Sequence, residues 1–462
     1  MASRIIVFIK PPLFYYREKG TTGQRERKGT LFLRKQKEYD KIREVKEADM
    51  KKAMFVILTM VILAIPAWTD EEVQGVRDEI ALVKEIYETE DPVQRLERIR
   101  AFLAEDGKSE AALSYIYRME LATLHQMQEY DEIWAMLPDY FALMESRDPV
   151  EKAQLYNQAA FILTESLKYT KEASEMGKKA LEYLASVKDV PAGIPPGEWP
   201  EIKKGLEASY KDTVGWAAYR GLDYNEAARW LGEAASLSPR DENIRYHYGL
   251  ALEKKERYKE AWEELLYARA YAFFESPDIE QALKRVEKKI PGDWSTKALQ
   301  NQIQARAEEE METEALKEEI AAQPAPLFSL PGVDGVSYSL EESGHKVLLL
   351  DFWATWCGPC KQEMPLLESF YKQFASQGVE IYGISVDGPE TRGDVPGFVR
   401  ENGITFPVMY NQDSAAGQYG VRTIPALFIL DRRGKIRFVH SGYSPELYKK
   451  LYFQVRYLLN EK

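Results

Sequence analysis

Between residues 70 and 320, apolar positions recur at three- and four-residue intervals, with Glu, Lys, Ala and Leu prominent. That period predicts amphipathic helices following one another along the chain. Beyond Pro326 the pattern changes to short apolar runs alternating with helical stretches. Strands are expected near Val347–Phe352, Val379–Ser385, Thr405–Met409, Ala426–Leu430 and Ile436–Ser441, and helices near Lys361–Gln377, Val395–Asn402, Ser414–Tyr419 and Pro445–Leu459. The expectation is a two-part chain, an all-α array followed by one α/β domain.

The helical part carries an internal period of 34 residues. Gly215 aligns with Gly249, Tyr224 with Tyr258, Ala227 with Ala261, Leu231 with Leu265 and Ala234 with Ala268. Small residues at these positions let two antiparallel helices approach closely, Tyr and Leu fill the groove, and Pro239 ends the first copy. The pattern resembles the tetratricopeptide repeat over residues 208–275, with degenerate copies through Tyr156, Ala160, Ala173 and Ala180 and from Tyr115 to Leu143. Such arrays bury one continuous core and commonly bind a partner on their concave face. The resemblance therefore implies a protein or peptide ligand, with a plain spacer as the alternative. Trp216, Trp230 and Trp262 read as packing residues rather than a ligand cage. Pro191 to Pro200 predicts a long irregular loop. Residues 296–322 predict a charged helix with Leu299, Ile303, Leu316 and Ile320 on its apolar face, broken at Gln323-Pro324-Ala325-Pro326.

Charge separates the N-terminus from the rest. The chain has a formal net charge of −12, but residues 1–49 hold 13 Lys or Arg against 7 Asp or Glu. Met50-Lys51-Lys52 then precedes an apolar run from Ala53 to Ile65 and a short outlet at Pro66 to Thr69, the three-part form of a secretory signal. The run is short for a spanning helix, which needs about twenty residues. Either Met50 is the true start and residues 1–49 are an upstream extension, or 50–69 is an uncleaved anchor; both place the remainder outside the cytoplasm. The acidic balance argues against nucleic acid as a partner. The expected organisation is a basic extension (1–49), a signal peptide or anchor (50–69), helical repeats (70–295), a charged helix and linker (296–325) and the α/β domain (326–462).

Cys357 and Cys360 are the only cysteines in 462 residues, and they frame Cys357-Gly358-Pro359-Cys360 between a strand pattern and a helix pattern. Strand, C-x-x-C, helix is the context of a redox site. Unpaired N–H groups and the dipole at the helix start favour a thiolate at the first sulfur. Cys357 is the expected nucleophile, forming a mixed disulfide with substrate, and Cys360, one turn on, the resolving thiol. Zinc needs about four ligands, and His125, His247, His345 and His440 are scattered, so no metal is expected. A purely structural disulfide across so short a loop would constrain the unfolded chain little.

Here a second resemblance becomes specific. Ala325 to Leu330, Asp334-Gly335, Leu349 to Cys360, Glu363-Met364-Pro365, Gly383 to Asp387, Phe406-Pro407-Val408 and Thr423 to Ala426 are similar to the TlpA/ResA group of thioredoxin-fold proteins. It implies an extracytoplasmic thiol-disulfide oxidoreductase whose redox-active cysteine pair serves in place of a cofactor. It also implies protein disulfide substrates and a separate membrane thiol electron donor. Gly388 to Met409 resembles the extra helix–strand unit of that group. Asp351 takes the position of the buried thioredoxin aspartate and Glu363 that of the ResA-like glutamate, both candidate proton acceptors for Cys360. The resemblance assigns substrate contacts to Trp356, Gly358, Pro359, Thr423, Ile424 and Pro425, with Ile424–Pro425 at the cis-proline position. Gly358-Pro359 is the thioredoxin dipeptide and favours a reductase.

Two other readings stay open. A peroxiredoxin-like peroxidase shares the fold, but that family places threonine three residues before the reactive cysteine, where this chain has Ala354. A repeat adaptor with a docking redox domain would not need the intact Cys pair together with Asp351, Glu363 and Ile424-Pro425.

Overall fold

The computed structural model describes residues 70–461, apart from residues 193, 273–275, 291, 293–296, 342–343, 412–414 and 445. The expected extension (1–49) and signal or anchor (50–69) lie outside the described residues. Among the described residues no helix is long and apolar enough to cross a membrane.

Two compact units divide the chain, one running to Glu308 and one from Glu309 to the C-terminus. In the first, helices follow in antiparallel pairs: α1 (Asp70–Glu88), α2 (Pro92–Leu103), α3 (Glu110–Met127), α4 (Tyr130–Leu143), α5 (Pro149–Leu163), α6 (Thr170–Ser186), α7 (Trp199–Arg220), α8 (Tyr224–Leu237), α9 (Glu242–Lys254), α10 (Tyr258–Tyr271) and α11 (Pro277–Glu287). Caps explain many of the starts. Asp91, Ser109, Asp223, Asp241 and Ser276 each accept a backbone N–H from the first turn of the helix that follows, satisfying a donor the helix leaves orphaned.

The 34-residue period is visible as two equivalent hairpins, α7 with α8 and α9 with α10. A Cβ placed on Gly215 would lie 2.6 Å from Leu231 Cγ, and one on Gly249 would lie 2.8 Å from Leu265 Cγ. Leu231, Leu265, Ala227, Ala234, Ala261 and Ala268 are fully buried. The glycine is therefore there to let the leucine of the facing helix sit against bare backbone. Aromatic rings fill a contact between earlier helices, where Phe141 of α4 stacks on Tyr156 of α5 at 4.0 Å. The loop expected through Pro200 ends earlier: Trp199 opens α7 and is buried, with Pro200 in the first turn, where its missing N–H costs nothing.

The charged helix α12 (Lys297–Leu316) stops short of the expected residue 322, and the division between units falls within it. Gln323–Pro324, read as a break, forms strand β1 at a sheet edge instead. An edge position suits proline, whose nitrogen has no hydrogen to donate to a ladder.

The second unit also holds β2 (Ser329–Pro331), β3 (Ser337–Ser339), β4 (Val347–Trp353), α13 (Gly358–Phe374), β5 (Val379–Ser385), α14 (Val395–Glu401), β6 (Val408–Tyr410), α15 (Ala415–Gln418), β7 (Ala426–Asp431), β8 (Lys435–Ser441) and α16 (Leu447–Asn460). Ser414 and Pro445, expected to open the last two helices, lie outside the described residues. The main sheet runs β1-β8-β7-β4-β5-β6, with β4, β5 and β6 parallel and β7, β8 and β1 antiparallel to their neighbours. β2 and β3 form a small separate hairpin that sequence reading does not anticipate. Successive residues of β4 face opposite sides. Leu348, Leu350 and Phe352 join one core cluster with Tyr382, Ile384 and Phe428. Val347, Leu349, Asp351 and Trp353 point to the other side, which α13 and α16 cover, with Phe370 edge-on to Tyr448 at 5.4 Å.

Candidate active site

Strand β4, interior to the sheet, ends at Trp353, and Ala354, Thr355 and Trp356 turn the chain into α13. Cys357 is the N-cap of that helix, and its sulfur accepts the Cys360 N–H at 3.2 Å. The sulfur thus occupies the place where a helix start concentrates unpaired donors and partial positive charge. Cys357 and Cys360 are joined as a disulfide with Cα atoms 5.3 Å apart. Cys360 is fully buried, whereas Cys357 keeps 5% of its surface accessible. The exposed side chains of this turn are those of Trp356, 37% exposed, and Pro359.

Behind the disulfide lie two carboxyl groups. Asp351 is on the α13 side of β4, and Glu363 follows Cys360 by three residues, which places both on one face of the helix. Both carboxyl groups are buried, and none of their four oxygens has a hydrogen-bond partner among the described residues. Burial pushes the Asp351 carboxyl up to about 8. Burial first, and then the neighbouring Asp351 charge, holds Glu363 well above the usual carboxylate range. Glu363 in turn helps raise the Tyr443 phenol, after burial. Unpartnered carboxyl groups in a dry site keep their protons into the neutral range, and two that feel one another do not ionise independently. Such a pair can accept or return a proton at a buried thiol.

The substrate-contact candidates lie at the same end of the sheet. Phe352 pairs with Ala426, so Pro425, one residue earlier on the antiparallel strand, stands level with Trp353 at the end of β4. The Ile424–Pro425 bond is cis. Pro425 O accepts the Gly442 N–H at 2.8 Å, Thr423 is exposed and Ile424 half-buried.

Sequence reasoning overlooked two further carboxylates, both tied to the segment that follows β5. Asp387 accepts the Thr355 N–H at 2.9 Å, the Thr355 hydroxyl, and the Ser385 hydroxyl at 2.8 Å. Glu368, buried on α13, accepts the Thr405 N–H at 2.7 Å and the Thr405 hydroxyl at 2.6 Å. The inserted unit is thus fastened at one end to the turn before Cys357 and at the other to the helix after it. Trp353 lies against its helix, 4.9 Å from Phe398, and a Cβ at Gly383 would come within 3.2 Å of the Trp353 indole nitrogen. An acidic residue directly after the apolar strand, in Gly383-Ile384-Ser385-Val386-Asp387, was the available signal for the first of these clamps. Among the described residues no group of three or more His, Cys, Asp or Glu is placed to hold a metal ion.

Residues 321–439 match the AhpC/TSA family. The thiol-disulfide oxidoreductase ResA of Geobacillus thermodenitrificans is 36% identical over 119 residues, which are 26% of this chain and 67% of that protein. The thioredoxin-like protein YneN of Bacillus subtilis is 35% identical over 120 residues, 26% of this chain and 71% of that one. Among solved structures, a thiol:disulfide interchange protein of the thioredoxin family from Chlorobium tepidum TLS is 28% identical, covering 30% of this chain and 99% of its own, with a TM-score of 0.28. With a cysteine pair capping a helix over two buried carboxyl groups, the chain belongs through this domain to the ResA-like thiol-disulfide oxidoreductases.

Proposed function

We propose that the protein is an extracytoplasmic reductase of protein disulfides, with Cys357 as nucleophile, Cys360 as resolving thiol and the Asp351–Glu363 pair as proton store. The observation that carries this reading is the pair of unpartnered, buried carboxyl groups behind a disulfide at a helix N-terminus. In the reduced protein the Cys357 thiolate attacks one sulfur of the substrate disulfide. A mixed disulfide forms, and the first substrate sulfur leaves as a thiolate that takes a proton from solvent. Cys360 then gives its proton to whichever member of the carboxyl pair is ionised and attacks the Cys357 sulfur. The Cys357–Cys360 disulfide forms, the second substrate sulfur leaves, and the stored proton compensates its charge. Two electrons pass to the substrate, and a separate dithiol donor, membrane-bound by the family resemblance, restores the pair. Trp356, Gly358, Pro359, Thr423, Ile424 and Pro425 are the residues we assign to holding the substrate chain, with the backbone of Ile424, ahead of the cis bond, pairing with an extended segment.

The apolar run after Met50-Lys51-Lys52 supports export, and the hairpins of the first unit support a tetratricopeptide-type array that binds a protein or peptide partner. Reduced protein should catalyse insulin reduction, and brief iodoacetamide treatment at neutral pH should label Cys357 alone. Cys360→Ser should accumulate a covalent adduct with its substrate. Preferential labelling of Cys360 would reverse the two roles, and a mature protein retaining residues 1–49 would contradict a cleaved signal.

A further inference from the structure

The turn that aims Cys357 is held from outside its own segment. Val386 N–H donates to Trp353 O at 2.8 Å, extending the β4–β5 ladder one step past the strands. Asp387 is therefore the next residue beyond the ladder, opposite the turn. Ser385 fixes its rotamer: the Ser385 hydroxyl donates to Asp387 Oδ2 at 2.8 Å, and the Asp387 N–H donates back to Ser385 Oγ at 3.2 Å. So oriented, the carboxylate takes the Thr355 N–H on Oδ2 and the Thr355 hydroxyl on Oδ1. Thr355 is buried, and it sits between Ala354, whose carbonyl accepts the Cys357 N–H at 3.1 Å, and Trp356, the residue directly before Cys357. Charge-assisted, two-pronged hydrogen bonds of this kind fix orientation as well as position. A residue outside the reacting atoms thus sets the backbone from which the nucleophile and its neighbouring indole project.

We propose that Asp387 is a positioning residue for Cys357: by clamping Thr355 through both carboxylate oxygens it holds the sulfur at the start of α13 and Trp356 beside it. Cys357 is useful as a thiolate only while it stays in the field of the helix N-terminus. A turn released from its clamp spends part of its time with the sulfur elsewhere, and reactivity falls with that fraction. This inference rests on the reading of Cys357 as nucleophile.

The test uses the full chain, reduced, and follows alkylation of Cys357 across pH 5–9 together with insulin reduction. Asp387→Ala should slow Cys357 alkylation at neutral pH by about tenfold and displace the midpoint of its pH profile upward. Thr355→Val, which removes one of the two donors, should move the profile the same way and less far. Asp387→Asn, whose amide oxygen can still accept the Thr355 N–H, should keep most of the rate. The double variant Asp387→Ala with Thr355→Val should be no slower than Asp387→Ala alone, since both remove one clamp. A profile within about twofold of the parent's for Asp387→Ala, whatever its unfolding midpoint, would reduce the residue to a structural part. Faster alkylation would mean that it acts through its charge and would equally overturn the proposal. If Asp387→Ala does not fold, Thr355→Val decides alone, and coincidence with the parent counts against the clamp. Cys357→Ser separates the two levels of the argument. Persistent turnover in that variant defeats the nucleophile reading, whereas a dead Cys357→Ser beside an unaffected Asp387→Ala defeats only this inference.

Discussion

Asp351 illustrates how one residue ties stability to chemistry. Its carboxyl is raised by burial to about 8, against about 3.9 in an unfolded chain. Between those values the folded protein holds a proton that the unfolded chain has released, so stability falls as pH rises from about 4 to about 8 and levels off above. Glu363, raised by burial and by Asp351, contributes with the same sign. Asp351→Asn should abolish much of this fall and raise unfolding stability at pH 8.5 by on the order of a few kcal/mol, with a smaller change at pH 5. Urea titrations at the two pH values measure it. The same substitution should slow disulfide turnover more than Glu363→Gln across pH 6–9, because Asp351 lies within the apolar strand. Equal rates for Asp351→Asn and the parent would leave Glu363 or water as the proton acceptor.

At the level of elements, helix α7 contains its own control experiment. Gly215 faces Leu231 with no room for a Cβ, whereas nothing lies within 4 Å of the Cβ position at Gly205. Gly205→Ala should stabilise the protein by up to about 1 kcal/mol through the lower entropy of the unfolded chain. Gly215→Ala should destabilise it by about 1–3 kcal/mol through overpacking against Leu231. Thermal melts of the two variants check both signs, and Gly249→Ala should copy Gly215→Ala because Leu265 repeats the contact. The period that pairs Gly215 with Gly249 was legible because each copy uses the same residue for the same approach. The β2–β3 hairpin was not: three-residue strands carry too few alternations to register as a pattern.

For the whole molecule, the second unit reaches further back than the proline-rich break. Ala315 O accepts from Gln454 Nε2 at 2.9 Å, Ile320 N–H donates to Arg437 O at 2.9 Å, and Glu318 pairs with His440 and Lys450. Arg437, buried, is ringed by Glu319, Asp431 and Glu461. A chain beginning at Pro326 would leave that arginine short of one partner, and breaking a buried ion network by removing one member costs several kcal/mol. Residues 309–462 should therefore fold and reduce a small disulfide at the full-length rate, while residues 326–462 should melt at a distinctly lower temperature. Circular dichroism and an insulin assay on the two fragments test this. If the helical array selects the partner, the longer fragment should also lose efficiency on the natural substrate alone, since tethering raises the local concentration of a bound partner.

The family resemblance, rather than local pattern, singled out Asp351 and Glu363; local patterns in the chain were enough to predict the helical array with its 34-residue period, the principal strands and a Cys-x-x-Cys pair between a strand and a helix. These depend on periodicity and short-range spacing, which a single segment displays by itself. What only the tertiary structure decided joins segments far apart in sequence: Asp387 on Thr355, Glu368 on Thr405, and Arg437 on Glu319. A carboxylate beside a strand reads as one more solvated charge until the fold brings its donors to it. Gln323–Pro324 likewise reads as a break until the Lys435–Ile436 edge supplies it with a partner strand.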